Sequence, residues 1–334
     1  MRAVVCRRWG GPEDLTLEDV ADAALQPDEI RIANKAGGIS FGSSLLIAGK
    51  YQRRPAFPFS PGTECAGDVI EVGSAVSRFK PGDKVVASLD WGGLSERPIS
   101  REANTFALPR GMDYAPAISL PLTYATSAAA LTWPHLLNVQ QGDWLLVHGA
   151  GGGVGLAACE IGHILGAQVI ATASSEEKRA QARAHGAQHI IDYTKQDFRE
   201  VVLDLTGGRG VQAIYDPVGG DVFDQSLRCL APEGRICPVG FASGRIPSAP
   251  ANILLVKNAS VVGLNWGYYI GWSPHDVRVE CFPRVKALMD RLQGWAEAGR
   301  IKPAISATYR LEQYVEAFRS VIDRKAFGRV AIVP

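Results

Sequence analysis

Along residues 1–120 the apolar positions come in short runs, alternate with polar ones, and break at Gly and Pro, as at 28–33, 67–73 and 80–87. Period-two alternation marks half-buried strands, and the frequent turn residues between them predict a compact β barrel. From Thr123 the texture changes. Apolar stretches with helical spacing at 124–136 and 154–165 are interleaved with apolar runs at 144–147, 168–173, 189–192, 211–215 and 235–239. That is the βαβ pattern of a doubly wound parallel sheet. A sixth run, 260–264, completes the expected sheet. Helical spacing over 285–298 and 311–323, then a strand over 329–333, is consistent with a return to the first domain. The expected organisation is α/β, with one domain of residues 1–122 and 266–334 and a second of residues 123–265.

Composition adds limits to this picture. A chain of 334 residues with 46% hydrophobic and 21% charged residues can bury two cores. Its net charge of +1 argues against a dedicated nucleic-acid surface. No apolar run reaches membrane-spanning length and the N-terminus begins as a strand without signal-peptide design, so a cytoplasmic protein is expected. The six cysteines are scattered with no C-x-x-C pair, which predicts reduced, mostly buried thiols and no metal site. Cys159, inside the apolar stretch at 154–165, is expected to pack.

The candidate chemistry begins where the run 144–147 meets His148-Gly149-Ala150-Gly151-Gly152-Gly153-Val154-Gly155. A strand that enters a glycine cluster and then a helix is the phosphate-gripping turn of a dinucleotide fold. Glycines let the backbone approach a pyrophosphate, and the helix offers it unpaired amides and a positive dipole end. The best register is Ala150-x-Gly152-x-x-Gly155, with Ala at the first glycine position. Ala150, Gly152, Gly153, Val154 and Gly155 are therefore candidate cofactor residues. About 20 residues on, the acid that would bind the ribose 2′-hydroxyl of NAD is replaced by Ser174. Ser174, Ser175 and Lys178 can donate to a 2′-phosphate, so the expected cofactor is NADPH rather than NADH. Ser174 and Ser175 equally suit the N-cap of a helix whose first turn holds Glu176, Glu177 and Lys178, and both readings can hold at once.

Four stretches together narrow the field: Gly10-Gly11-Pro12-Glu13, Pro58 to Gly67, Gly142 to Gly155, and Asp216-Pro217-Val218-Gly219-Gly220. With them the chain resembles, over essentially its whole length, the zinc-free quinone oxidoreductases (zeta-crystallin-like) of the medium-chain dehydrogenase/reductase superfamily. The resemblance implies a GroES-like barrel beside a Rossmann domain, with NADPH and substrate in the cleft between them. Zinc-dependent members place Cys, His and Cys where this chain has Ser40, Thr63 and Leu122, side chains that supply no zinc ligand at neutral pH. Without that Lewis acid, electron-poor acceptors such as quinones remain feasible for hydride from nicotinamide C4.

The resemblance also implies that Asp216, Val218, Gly240 and Phe241 line the nicotinamide and its ribose, and that Lys178, Tyr193 and Arg324 bind the 2′-phosphate. The substrate-side candidates are Ser40, Tyr51 and Thr126. Ser40 stands where Asn is common, which enlarges the pocket and removes a donor. Tyr51 either hydrogen-bonds the quinone oxygen or is a half-buried aromatic of the rim, and Thr126 either faces the substrate or caps or bonds the backbone of its own helix. The strand at 260–264 pairs with its twin in this superfamily, so a homodimer is expected, with a self-contained monomer as the alternative. Two other functions stay open: an NADPH-dependent alkenal, enone or enoyl-thioester reductase, and a non-catalytic NADPH- or RNA-binding protein of the crystallin kind.

Overall fold

The computed structural model describes residues 1–334, which fold as two compact units, one of residues 1–122 and 267–334, the other of residues 123–266. In the first unit, β1 (Arg2–Val5) and β2 (Thr16–Asp19) form an antiparallel ribbon. A second, seven-stranded sheet is built on β3 (Glu29–Ile39), β4 (Glu64–Val72), β5 (Lys84–Ser88), β6 (Ile99–Arg101) and β7 (Thr105–Ala107).

The second unit carries β8 (Trp144–Val147), β9 (Gln168–Ala173), β10 (His189–Asp192), β11 (Val211–Asp216), β12 (Leu230–Pro238) and β13 (Ser260–Val261). All pair in parallel, in the order β10-β9-β8-β11-β12-β13, the doubly wound arrangement expected. Its central strands are apolar on both faces. Leu146, Ile170, Ile191 and Ile214 meet Phe198, Phe223 and Leu227 from the helices in one core.

The chain then returns to the seven-stranded sheet of the first unit. After β13 come the helix Arg278–Glu297, β14 (Ile305–Arg310), the helix Tyr314–Ile322 and β15 (Arg329–Val333). β15 pairs antiparallel with β3, Val330 opposite Ile39. Phe318, Val330 and Ile332 thereby share a core with Val4, Leu15 and Leu46.

Three of the differences from the pattern-based expectation involve a proline. The helix expected over 124–136 is a π-turn, Leu120–Tyr124, followed by an α-helix, Ala125–Thr132. It ends there because Pro134 forces Trp133 into extended backbone, φ −76° and ψ 133°. The strand expected over 260–264 is only Ser260–Val261. Val262 N still donates to Ile236 O, but the next donor in register would be the Pro238 nitrogen, which carries no hydrogen. The helix expected from 285 begins at Arg278 and runs through Pro283. The Val279 carbonyl that loses its partner there belongs to a residue 77% exposed, where water can satisfy it.

Candidate functional site

In the parallel sheet the order reverses between β8 and β11, and the loops leaving their carboxyl ends flank the crevice where such sheets take ligands. After β8 the backbone turns at Gly149, φ +57°, and reaches Gly152, the extended N-cap of the helix Gly153–Ile164. The left-handed conformation thus falls one residue before Ala150, which is why Ala is accommodated there, fully buried. Gly149 itself was outside the expected set, although its place directly after the strand was the signal. Ala150 N donates to Thr172 O at 3.0 Å and Gly152 N to Gly149 O at 3.0 Å, so the turn is tied to the end of β9. Gly155 brings the helix against the turn: a Cβ there would stand 2.4 Å from Gly149 O. Gly152, by contrast, is exposed, with no atom nearer than 3.5 Å to where its Cβ would stand. Gly153 and Val154, half-buried, open the helix beside it.

Beneath this turn His148 is fully enclosed, with Nδ1 3.1 Å from Thr172 Oγ1 and Nε2 2.8 Å from Ser226 Oγ. Burial pushes its pKa down to about 3, so the ring is neutral and links β8, β9 and the helix Gly220–Cys229 by neutral hydrogen bonds.

At the end of β9, Ser175 is the N-cap of the helix Glu176–Ala184, its Oγ accepting from Lys178 N at 3.3 Å. Ser174 beside it is half-buried, and its carbonyl accepts from Arg179 Nη1 at 3.0 Å. The stem of Lys178 lies against the glycine turn, its Cγ 2.6 Å from where a Cβ on Gly151 would stand. Tyr193 follows β10 and is 49% exposed. Ser174 and Tyr193 therefore follow the ends of the neighbouring strands β9 and β10, Ser175 caps the next helix, and Lys178 is the one of the four whose side chain lies against the turn. Arg324 belongs to the other unit, in a left-handed turn at φ +58° after the helix Tyr314–Ile322.

On the far side of the crevice, Asp216 ends β11. Its Oδ1 accepts from Val218 N at 2.7 Å and Gly219 N at 3.0 Å. Its Oδ2 is buried without a hydrogen-bond partner, and burial raises the carboxyl above its usual range. The loop after β12 zips onto this one, Val239 N to Asp216 O, Ala242 N to Pro217 O and Ser243 N to Val218 O, all at 2.9–3.1 Å. Gly240 packs on Pro217, and Phe241, 43% exposed, lies over Gly219. The two loops make one ledge.

In the barrel unit, Ser40 and Tyr51 converge on Gly42: a Cβ there would stand 3.5 Å from Ser40 Oγ and 3.7 Å from Tyr51 Cε2. Ser40 caps the helix Phe41–Ile47, exchanging hydrogen bonds with Ser43 at 3.2 Å each way. Tyr51 is half-buried against the core, and burial pushes its phenol pKa up. Thr126 lies in the other unit, half-buried in the first turn of Ala125–Thr132.

Thr63 and Glu64 belong to the Gly62-Thr63-Glu64 stretch, where the resemblance stated above expects a zinc-ligand position. Thr63 Oγ1 donates to Glu64 Oε2 at 2.8 Å, and Arg329 Nη2 donates to Glu64 Oε1 at 2.5 Å. Nowhere do three or more His, Cys, Asp or Glu side chains come together so as to hold a metal ion. All six cysteines are free and burial raises their thiols. Nearby, Arg53 lies over the rings of Trp272 and Trp91, at 4.9 and 5.3 Å, and pairs with Asp90. Sequence reading passed over Glu64, Arg329 and this cation–π stack; only Glu64, within Gly62-Thr63-Glu64, carried a local signal.

Comparison with known proteins bears on the fold and the family. Residues 26–110 match the family model "alcohol dehydrogenase GroES-like domain", and residues 153–282 match "zinc-binding dehydrogenase". A quinone oxidoreductase-like protein 2 homolog from Nematostella vectensis is 39% identical over 99% of this chain and 88% of its own. A quinone oxidoreductase from Pseudomonas aeruginosa is 34% identical over 98% and 97%. The crystal structure of Escherichia coli quinone oxidoreductase complexed with NADPH superposes with a TM-score of 0.89 at 28% identity, covering all of both chains. No helix is long and apolar enough to cross a membrane.

Proposed function

This chain belongs to the quinone oxidoreductase group of the medium-chain dehydrogenase/reductase superfamily and is a nicotinamide-dependent oxidoreductase of that type, and from that premise we propose that it is an NADPH-dependent, zinc-independent quinone reductase. The observation that carries this reading is the fate of the metal-ligand positions. The Ser40 hydroxyl is engaged in a helix cap and the Thr63 hydroxyl in a bond to Glu64, so neither is a ligand and the acceptor must be electron-poor already.

The residues fit a dinucleotide. Gly152 leaves open space for a pyrophosphate at the N-terminus of Gly153–Ile164, and Asp216 Oδ2 is a buried acceptor in want of a hydroxyl such as the ribose provides. Lys178 would take the 2′-phosphate, and the ledge of Asp216, Val218, Gly240 and Phe241 would hold the nicotinamide end. When bound, the cofactor supplies the hydride. The chain's part is orientation and exclusion of water, and the Tyr51 phenol is the candidate to donate to an acceptor oxygen as it gains charge.

The test is steady-state oxidation of NADPH with ortho- and para-quinones, enones and a crotonyl thioester, repeated with NADH. Quinones should lead by roughly tenfold or more in kcat/KM, and NADPH should outdo NADH by a similar factor, the worth of one or two charge-assisted hydrogen bonds. Turnover of enones or the thioester alone would transfer the function to C=C reduction. Tight NADPH binding with no turnover would favour a binding protein.

We further propose a two-fold homodimer. The helix Ala251–Lys257, beside the edge strand β13, buries none of its residues; Leu255 and Val256 are each 77% exposed, and Ile246 is 73% exposed. Sedimentation should give twice the 35.8 kDa of the chain. Leu255→Glu with Val256→Lys should halve that mass without loss of fold, whereas a monomeric unaltered chain would reject the proposal.

A further inference from the structure

The carboxylate that the β9 end lacks reappears one strand away. Asp192 ends β10, and the parallel register sets it opposite Ala173, the residue before Ser174. An exposed carboxylate at this place would accept a hydrogen bond from a 2′-hydroxyl and repel a 2′-phosphate, favouring the non-phosphorylated dinucleotide. In this chain that charge is covered. Asp192 Oδ2 lies 2.7 Å from Arg179 Nη1, and its Oδ1 accepts from Thr194 N at 3.1 Å and Thr194 Oγ1 at 2.6 Å. Lys195 Nζ stands at 3.9 Å from Oδ2. The Asp192 and Arg179 side chains are only 13% and 15% exposed.

Arg179 does more than neutralise. The same Nη1 donates to the Ser174 carbonyl at 3.0 Å, and Nη2 donates to Glu176 Oε2 at 2.7 Å. One planar guanidinium thus joins the end of β9, the end of β10 and the first turn of the following helix. A lysine ammonium, without a fork, would not span the three. Its pairing with Glu176, whose side chain is 78% exposed, is screened by water. The pairing with Asp192 is sheltered.

We propose that Arg179 is a specificity-determining positioning residue. It masks Asp192 and fixes the strand ends that carry Ser174 and Tyr193, and so sets the discrimination for a 2′-phosphorylated dinucleotide; this rests on the NADPH reading above. Removing Arg179 exposes a carboxylate to the phosphate. Removing the Asp192 charge releases a guanidinium toward it. The two changes therefore have opposite effects on the phosphorylated cofactor, and neither weakens binding of the non-phosphorylated one, for which an exposed carboxylate offers a further acceptor.

Isothermal titration of the full chain with NADPH and with NADH tests this. Arg179→Met should raise the Kd for NADPH about tenfold and leave that for NADH unchanged or lower by less than about twofold. Arg179→Lys should retain part of the discrimination. Asp192→Asn should lower the Kd for NADPH a few-fold at constant NADH affinity, and the double variant should recover most of the loss of Arg179→Met. Equal weakening toward both cofactors in Arg179→Met would reduce the residue to a purely structural role and overturn the proposal. If Arg179→Met does not fold, Asp192→Asn decides alone, and weaker NADPH binding in it overturns the proposal. An unaltered chain that prefers NADPH, with discrimination unchanged in Arg179→Met, defeats the Arg179 proposal only. An unaltered chain with no preference defeats the NADPH reading and this proposal together.

Discussion

Arg329→Met is expected to destabilise the barrel unit by about 3–5 kcal/mol, read as a fall in the urea midpoint of full-length protein at constant slope. Glu64 is fully buried, Arg329 nearly so, and their contact joins the start of β4 to the start of β15. Removing the guanidinium leaves a carboxylate in the interior with only the Thr63 hydroxyl as a side-chain donor. The energy at stake is chiefly that of stranding the charge and only secondarily that of the pair, since a buried ion pair offsets much of its attraction by desolvation. A double variant, Glu64→Gln with Arg329→Met, should therefore be more stable than Arg329→Met alone. If the single variant lost less than about 1 kcal/mol, water would have to reach Glu64, contrary to its burial.

The second large effect is expected at the glycine turn, where two positions separate folding from binding. At Gly155 a Cβ would stand 2.4 Å from Gly149 O and 2.8 Å from Ala150 Cα. Both are backbone atoms that cannot swing away, because Ala150 N is bonded to Thr172 O and Gly149 is packed on Pro217 and Val218. Gly155→Val should lower the melting temperature and weaken NADPH at least about a hundredfold, close to 3 kcal/mol. At Gly152 the protein leaves room for a side chain. Gly152→Val should keep the melting temperature of the free protein within a degree or two, roughly 0.5 kcal/mol, yet lose NADPH binding by a similar factor, because the side chain takes the anion's place. Unimpaired NADPH binding by Gly152→Val would mean the turn does not hold a pyrophosphate. Thermal shift with and without NADPH reads both.

The legible part of this protein was local. The strands at β8, β9, β10 and β11 and the glycine turn stood out because hydrophobic period and turn chemistry are written in adjacent residues. The early stop of the helix Ala125–Thr132 was also legible, at Pro134, one residue past a run of good helix formers. The shortness of β13 was not, because the proline that ends it, Pro238, lies on the neighbouring strand. Ser40 and Ser175 were singled out as ligand-binding hydroxyls, and each is found bonded to the first turn of its own helix. Such capping needs only a local sequence, so the N-cap reading of Ser175 was visible beside the other from the start.

What hydrophobic period and turn chemistry determined by themselves was therefore the α/β class, the doubly wound half and the glycine turn after β8, whereas the residues at the zinc positions were read only through the family resemblance. These depend on backbone conformation and residue type, which act over a few neighbours. Only the tertiary structure decided which charges are compensated. Glu64 meets Arg329 across 265 positions, His148 meets Ser226 across 78, and Arg179 covers Asp192 from the next strand. Coulombic and desolvation energies depend on distance through space and on exclusion of water, and neither quantity exists until the strands have paired.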